Sequence, residues 1–424
     1  MKPKQLTSRL MQTLVVVAIS LSIAPVTWAG PRYRVLHNFT GGRDGGVPSF
    51  GPLALDVEGN LYGAAGGGGG TSCSGSGCGI IFELSPHPNT TWTESVLYRF
   101  ANGADGAFPN GGLVFDSAGN LYGATIHWLS DGTAFELSPG THGWSLKVVY
   151  EFGSWFGDAI GPNPGLVFDK AGNLYGTGGG GNGGTVFELI PGPGARTDRV
   201  IYSFCPRAGC KDGEIPLVGL TWDSAGNLYG TTSQGGNYLP NCKVGSLGCG
   251  VAFQLTPATD GTWKYHLLHR FASWPHDAEY PLGTLVLDSS GNVYGTTIAG
   301  GAHDTGTVFK LSPPSGGGWK ETLLYQFPNP ANGAGPGNAL VFDKAGNLYG
   351  TTFTGGIGSQ GGSGVIFKLT PGSNGKWTYS VVHKFTGQDG DGPDGLTIGA
   401  KGNLYGTTAG GGTHNVGVVF EITP

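Results

Sequence analysis

Charge is scarce in this 424-residue chain: Asp, Glu, Lys and Arg make up 12% of it, with 23 basic against 28 acidic residues. That balance excludes a protein that holds nucleic acid by neutralising phosphates. Methionine is scarcer still, its two copies, Met1 and Met11, both lying in the first eleven residues. Long hydrophobic runs are missing too. The one apolar stretch, Leu14 to Ile23, is too short to span a bilayer comfortably. None follows it, so neither a membrane span after leader removal nor a C-terminal anchor is expected. No phosphate loop, metal-ligand spacing or nucleophile with a companion base stands out. An enzyme is therefore not the leading expectation, and no cofactor or metal is expected.

Lys2, Lys4 and Arg9 precede the apolar stretch, and Thr27-Trp28-Ala29 offers a cleavage site, so residues 1–29 read as a secretory signal and 30–424 as a single domain. Removing the leader takes three basic residues, no acidic ones and both methionines. The expected location is exported, extracellular or periplasmic. Six cysteines fall as close pairs, Cys73/Cys78, Cys205/Cys210 and Cys242/Cys249. In an exported chain such pairs predict three local disulfides. A zinc site is the weaker reading, because the pairs are far apart in sequence and no histidine sits beside them.

What the chain does have is glycine, 83 residues, and proline, 27. By composition alone this suggests low complexity or disorder, but the glycine is concentrated between short apolar segments, where turns need positive φ. "GNLYG" occurs six times and "GNVYG" once, opening at Gly59, Gly119, Gly172, Gly226, Gly291, Gly346 and Gly402. A repeat of this length signals a repeat architecture. Each unit reads as four strands, a ("LVFD"), b ("NLYGTT"), c ("GTVFELSP") and d ("VLYRF"). Between a and b, Asp and Gly stand where a type I turn with a following bulge wants them, except that Gly399 replaces the Asp in the last unit. The last unit stops after strand c, Gly417 to Pro424, while Tyr33 to Phe39 is a d strand without its unit. The two complete one another, predicting a seven-bladed all-β propeller of four antiparallel strands per blade, closed by the N-terminal strand. A β-solenoid is the alternative.

These units, "GLVFD-x-AGNLYGTT…GG…GTVFKLTP", resemble the bacterial tandem-repeat family called GloVer across essentially the whole chain after the leader. The resemblance implies an exported protein without a settled biochemical role. More distantly the hairpin is similar to the propellers of NHL-type repeats, gluconolactonases and streptogramin lyases, with no position-by-position match to their metal or catalytic residues.

Strand alternation puts a–b and c–d turns on one face and b–c and d–a connections on the other. The first set is uniform in length, and the second varies and carries all six cysteines, so the variable face is where binding is expected. The d–a connections share an Asp or Asn followed four residues later by Pro: Asp44, Asp105, Asp158, Asp212, Asp277, Asn332 and Asp389. They read as Asx-type caps, a ring of carboxylates around the axis being the functional alternative. His37, His269 and His383 replace tyrosines of other d strands and read as packing residues. So do Trp92, Trp144, Trp263, Trp319 and Trp377, which open strand d.

Residues that break the repeat point to chemistry. His127, Trp128, Trp155 and Phe156, in neighbouring loops of blades 2 and 3, suit stacking on sugar rings or an apolar partner, and Trp274 is a further candidate. His276, Asp277 and Glu279, with His303 and Asp304, are the candidates for a general base or part of a metal site. The leading expectation is a monomeric binding scaffold for a polysaccharide or partner protein. A metal-dependent lyase or lactonase and a structural envelope component are the alternatives.

Overall fold

Short β-branched and aromatic segments separated by glycine-rich turns can satisfy their backbone groups most simply by pairing with the next segment along the chain. A computed structural model shows that outcome. It describes residues 30–424 except 71, 74, 89, 127–131, 154–159, 208, 237–241, 243–247, 273–276, 315, 317 and 357–360. Seven antiparallel sheets each run in the order d, c, b, a. In blade 2 these are Gly143–Glu151, Thr133–Gly140, Leu121–Thr125 and Pro109–Phe115. Among the described residues there is no α-helix, only a 3-10 turn at Pro330–Asn332, and no helix is long and apolar enough to cross a membrane.

Blade 7 confirms the expected closure. Its a, b and c strands are Asp391–Ile398, Leu404–Gly410 and Val418–Thr423, and its d strand is Arg32–Asn38 from the other end of the chain. The register runs from Arg32 opposite Thr423 to Asn38 opposite Val418, with a bulge between Val35 and His37.

The core lies between blades. Each strand c carries a Phe with no exposed surface, Phe82, Phe135, Phe187, Phe253, Phe309, Phe367 and Phe420. Each meets edge-on the Phe that ends strand d of the preceding blade, with centroids 5.1 to 5.5 Å apart from Phe39–Phe82 round to Phe385–Phe420. Such pairs add about 0.5–1.5 kcal/mol each beyond the area they bury.

The strand-d tryptophans are structural, as expected. Each packs on the strand-b Tyr of the preceding blade, Trp144 on Tyr62 at 6.2 Å for example, and Trp92 on Tyr405, Trp263 on Tyr175, Trp319 on Tyr229 and Trp377 on Tyr294. Blade 3 lacks this Trp, and Arg196 lies over Tyr122 instead, 5.3 Å from the ring centroid. The disulfides Cys73–Cys78, Cys205–Cys210 and Cys242–Cys249 are all formed, and no cysteine is free among the described residues.

Candidate functional site

The a strands of all seven blades meet around one cavity of about 570 Å3, to which Gly51, Gly112, Pro164, Val218, Thr284, Asn338 and Gly395 contribute one position per blade. Glycines let these strands approach closely: a Cβ on Gly51 would lie 2.3 Å from Gly112 N, and one on Gly395 would lie 2.8 Å from Pro52 N. The lining is apolar apart from Asn110, Asn163, Asn338 and Thr284, and none of the described lining residues is titratable. Two aromatic side chains also line it, Phe50 from a d–a connection and Phe353 from a b–c connection. Their rings meet edge-on at 6.3 Å. Phe50 remains 49% exposed, so the cavity reaches the variable face through an aromatic rim. The repeat unit concealed this, because Phe50 lies in the one Pro-to-Leu stretch entering strand a that is longer than its counterparts, "PSFGPL".

The described acids of the d–a connections do not form a ring of axial ligands. Each described one turns back to cap its own connection: Asp105 accepts from Ala101 N at 2.7 Å and Gly103 N at 2.9 Å, and Asp44, Asp212 and Asp389 accept similarly from Thr40, Cys205 and Thr386. The same carboxylates face the Tyr or His of strand d, as in Tyr202 Oη to Asp212 Oδ2 at 2.8 Å and His383 Nε2 to Asp389 Oδ2 at 2.9 Å. Burial alone would raise Asp389, but hydrogen bonds from His383 and Thr386 outweigh it and hold the group at about 2. The Asx-cap reading of these acids is the one the structure bears out.

Of the expected catalytic set, Asp277, Glu279, His303 and Asp304 are described, Asp277, Glu279 and Asp304 lying around Gly300. His303 is exposed, Glu279 is buried, and Asp304 accepts from Gly300 N at 3.1 Å. Asp277 faces His269 instead, Oδ2 to Nε2 at 3.5 Å, and His269 Nε2 is also 3.6 Å from Glu321 Oε2. His269 does pack as expected, edge-on to Phe271 at 4.9 Å, but it carries this second relationship too. Burial would raise Asp277, while hydrogen bonds involving His269 and Glu321 lower it. Burial and the neighbouring Asp277 push Glu321 up to about 9. His127, Trp128, Trp155, Phe156, Trp274 and His276 lie outside the described residues.

Three solved structures are similar to this chain at 14% identity. A protein from Lactobacillus plantarum matches with a TM-score of 0.50, covering 78% of this chain and 84% of that one. A protein from Bacteroides uniformis proposed to be a 6-phosphogluconolactonase matches at 0.49, covering 78% and 83%, and one proposed to be a gluconolactonase at 0.42, covering 93% and 92%. At this identity a likeness speaks to fold alone. No curated protein matches. The repeat itself is decisive, since residues 69–241 and 238–424 match the Gloeobacter/Verrucomicrobia repeat. The chain belongs to the Gloeobacter/Verrucomicrobia repeat family.

Proposed function

We propose that the chain is an exported binding scaffold, residues 1–29 its leader and the rest one domain, that takes a polysaccharide or a partner protein on the b–c/d–a face. The observation that carries this reading is the cavity of about 570 Å3 with Phe50 and Phe353 at its rim and no titratable group among its described lining residues. An apolar concavity with a few amides suits burial of an aromatic or aliphatic anchor or stacking on a sugar face. None of its described lining residues is a proton donor or acceptor of the kind that hydrolytic or eliminative chemistry uses.

The test is a screen of the protein without its leader against soluble polysaccharides, cell-wall fractions and secreted proteins, repeated with variants. For whatever is bound, Phe50→Ala and Phe353→Ala weaken binding by about 1–3 kcal/mol, the effect of losing a buried anchor. Trp128→Ala and Trp155→Ala weaken it similarly if their loops share the surface. Val57→Ser is the control, because Val57 is 97% exposed in an a–b turn on the other face. A ligand whose affinity ignores all four aromatic substitutions overturns the proposal. So does a divalent-dependent lactone-opening or lyase activity abolished by His276→Ala and His303→Ala but indifferent to Phe50.

A further inference from the structure

Each seam between neighbouring outer strands reuses three positions: a Tyr or His two residues before the strand-d Phe, the Asp or Asn of the following d–a connection, and a residue from strand d of the next blade. Three seams have His at the first position, and they form an internal comparison. Where the third position is Tyr33, its ring stacks on His383 at 4.0 Å, and His383 closes to a 2.9 Å hydrogen bond with Asp389. Where the third position is Glu321, His269 stands off from Asp277 at 3.5 Å and from Glu321 at 3.6 Å. The seam of His37 with Asp44, next to Glu94, also opens to 3.5 Å.

At the Glu321 seam the three side chains face one another, and two of their polar atoms are left over. His269 Nε2 and Glu321 Oε1 are buried and have no hydrogen-bond partner among the described residues. Two half-buried carboxyl groups beside an imidazole nitrogen that lacks a hydrogen bond leave room for a cation to satisfy all three. The spacing says which. One nitrogen and two carboxylate oxygens lie within 4.8 Å of one another, and donors bound at about 2.1 Å around a tetrahedral ion stand about 3.4 Å apart. The two separations from His269, 3.5 and 3.6 Å, fall close to that value and outside hydrogen-bond range. Asp277 is also held in place from behind, Oδ2 accepting from Ala272 N and Oδ1 from Ala278 N, each at 2.8 Å, the outer-shell support that orients a metal-binding carboxylate. The three side chains keep 14 to 19% of their surface exposed, leaving an ion a way in.

We propose that His269, Asp277 and Glu321 bind one divalent transition-metal ion of the zinc or cobalt class, clamping the outer strands of blades 4 and 5. The set of one imidazole and two carboxylates suits these ions better than calcium, which prefers six to eight oxygens. The site lies on the outer strands rather than at the axial cavity, so it stands or falls independently of the ligand-binding proposal.

The probe is Co2+ alone, added to chelator-stripped protein with its disulfides intact. The wild type takes up one equivalent and develops visible d–d absorption, which Zn2+ abolishes, and its thermal midpoint rises. His269→Tyr and Glu321→Tyr each install a residue that other seams already carry, as in Tyr202 and Tyr33, so both fold. Each weakens Co2+ binding by more than about 100-fold, beyond the 10–100-fold typical of losing an outer-shell partner. Glu321→Gln, nearly isosteric, stands in if the tyrosine variant melts early. A wild type without the absorption bands, or bands undiminished in the variants at these two positions, overturns the proposal.

Discussion

Asp343 shows how much one side chain of the repeat is asked to do. Its Oδ1 accepts from Ala345 N and Asn347 N, both at 2.9 Å, while Oδ2 accepts from Asn347 Nδ2 and Tyr349 Oη. The same arrangement recurs at Asp223 and Asp288. In blade 7, where Gly399 replaces the acid, Asn403 Nδ2 and Tyr405 Oη turn to Glu421 at 2.7 and 3.2 Å, and Arg34 pairs with that same carboxylate. Burial would raise the turn acids, but these hydrogen bonds outweigh it and hold Asp116, Asp223, Asp288 and Asp343 below the usual carboxylate value. A carboxyl depressed in the folded state contributes stability above its unfolded pKa, and that contribution is lost as pH falls through the folded value. The thermal midpoint therefore drops steeply below about pH 4. Replacing the four acids together by Asn, which keeps the turn acceptor but removes the titration, flattens that drop while leaving the neutral-pH midpoint lower. An unchanged acid slope in the fourfold variant would assign the acid sensitivity elsewhere.

Strand b explains why one hairpin is written seven times. Its Tyr leaves the blade to meet the next one, Tyr175 edge-on to Trp222 at 5.0 Å and Tyr294 to Phe342 at 5.2 Å. Its following Gly leaves room for the buried Phe of strand c: a Cβ on Gly230 would lie 2.6 Å from Phe253 Cζ and 2.9 Å from Leu220 Cδ2. Both neighbours are fully packed, so Gly230→Ala costs about 1–3 kcal/mol by overpacking, read as a lower urea midpoint, whereas a change within about 0.5 kcal/mol would show that the seam relaxes. Every blade repeats this contact, and so the hairpin, the four-strand unit and the structural tryptophans were legible from sequence. The disulfides were legible because each pair lies within one connection. The axial rim and the Glu321 seam were not. Phe50 and Phe353 belong to connections that differ in every blade, and their proximity is a fact about the ring rather than any unit. Glu321 stands four residues before Tyr325 in its own strand yet meets His269 of the preceding one. Aligning the d strands shows Tyr33, Glu94, Tyr265 and Glu321 at one position, a variation that becomes informative only once the seam partners are known.

Across the whole molecule, seven similar interfaces hold the ring, and closure makes the seventh equal to the rest. Phe39 meets Phe82 as Phe204 meets Phe253, and Gly417 backs onto Pro48, a Cβ there lying 2.6 Å from Pro48 Cδ, just as one on Gly364 would lie 2.5 Å from Pro393 Cδ. Arg32 and Thr423 are register partners, so the first and last strands adjoin where other blades have a c–d turn. Deleting residues 30–39 removes the seven-residue strand Arg32–Asn38, the fully buried Phe39 and the stacking of Tyr33 on His383. It leaves strand Val418–Thr423 as an open edge. Burial of Phe39 alone accounts for about 1.5–3 kcal/mol, so the truncated chain should melt well below the intact one and aggregate through the exposed edge. A circular permutant tests the same closure without removing a residue. Pro424 is joined to Gly30 by a linker of c–d length, and the ring is opened at the turn Ala258–Thr262 between strands c and d of blade 4. Because the new junction reproduces a turn the other blades already have, the permutant should fold with a midpoint close to that of the native order. A truncated chain as stable as the intact one, or a permutant that fails to fold, would mean that the strand pairing of the two ends is not what closes the ring.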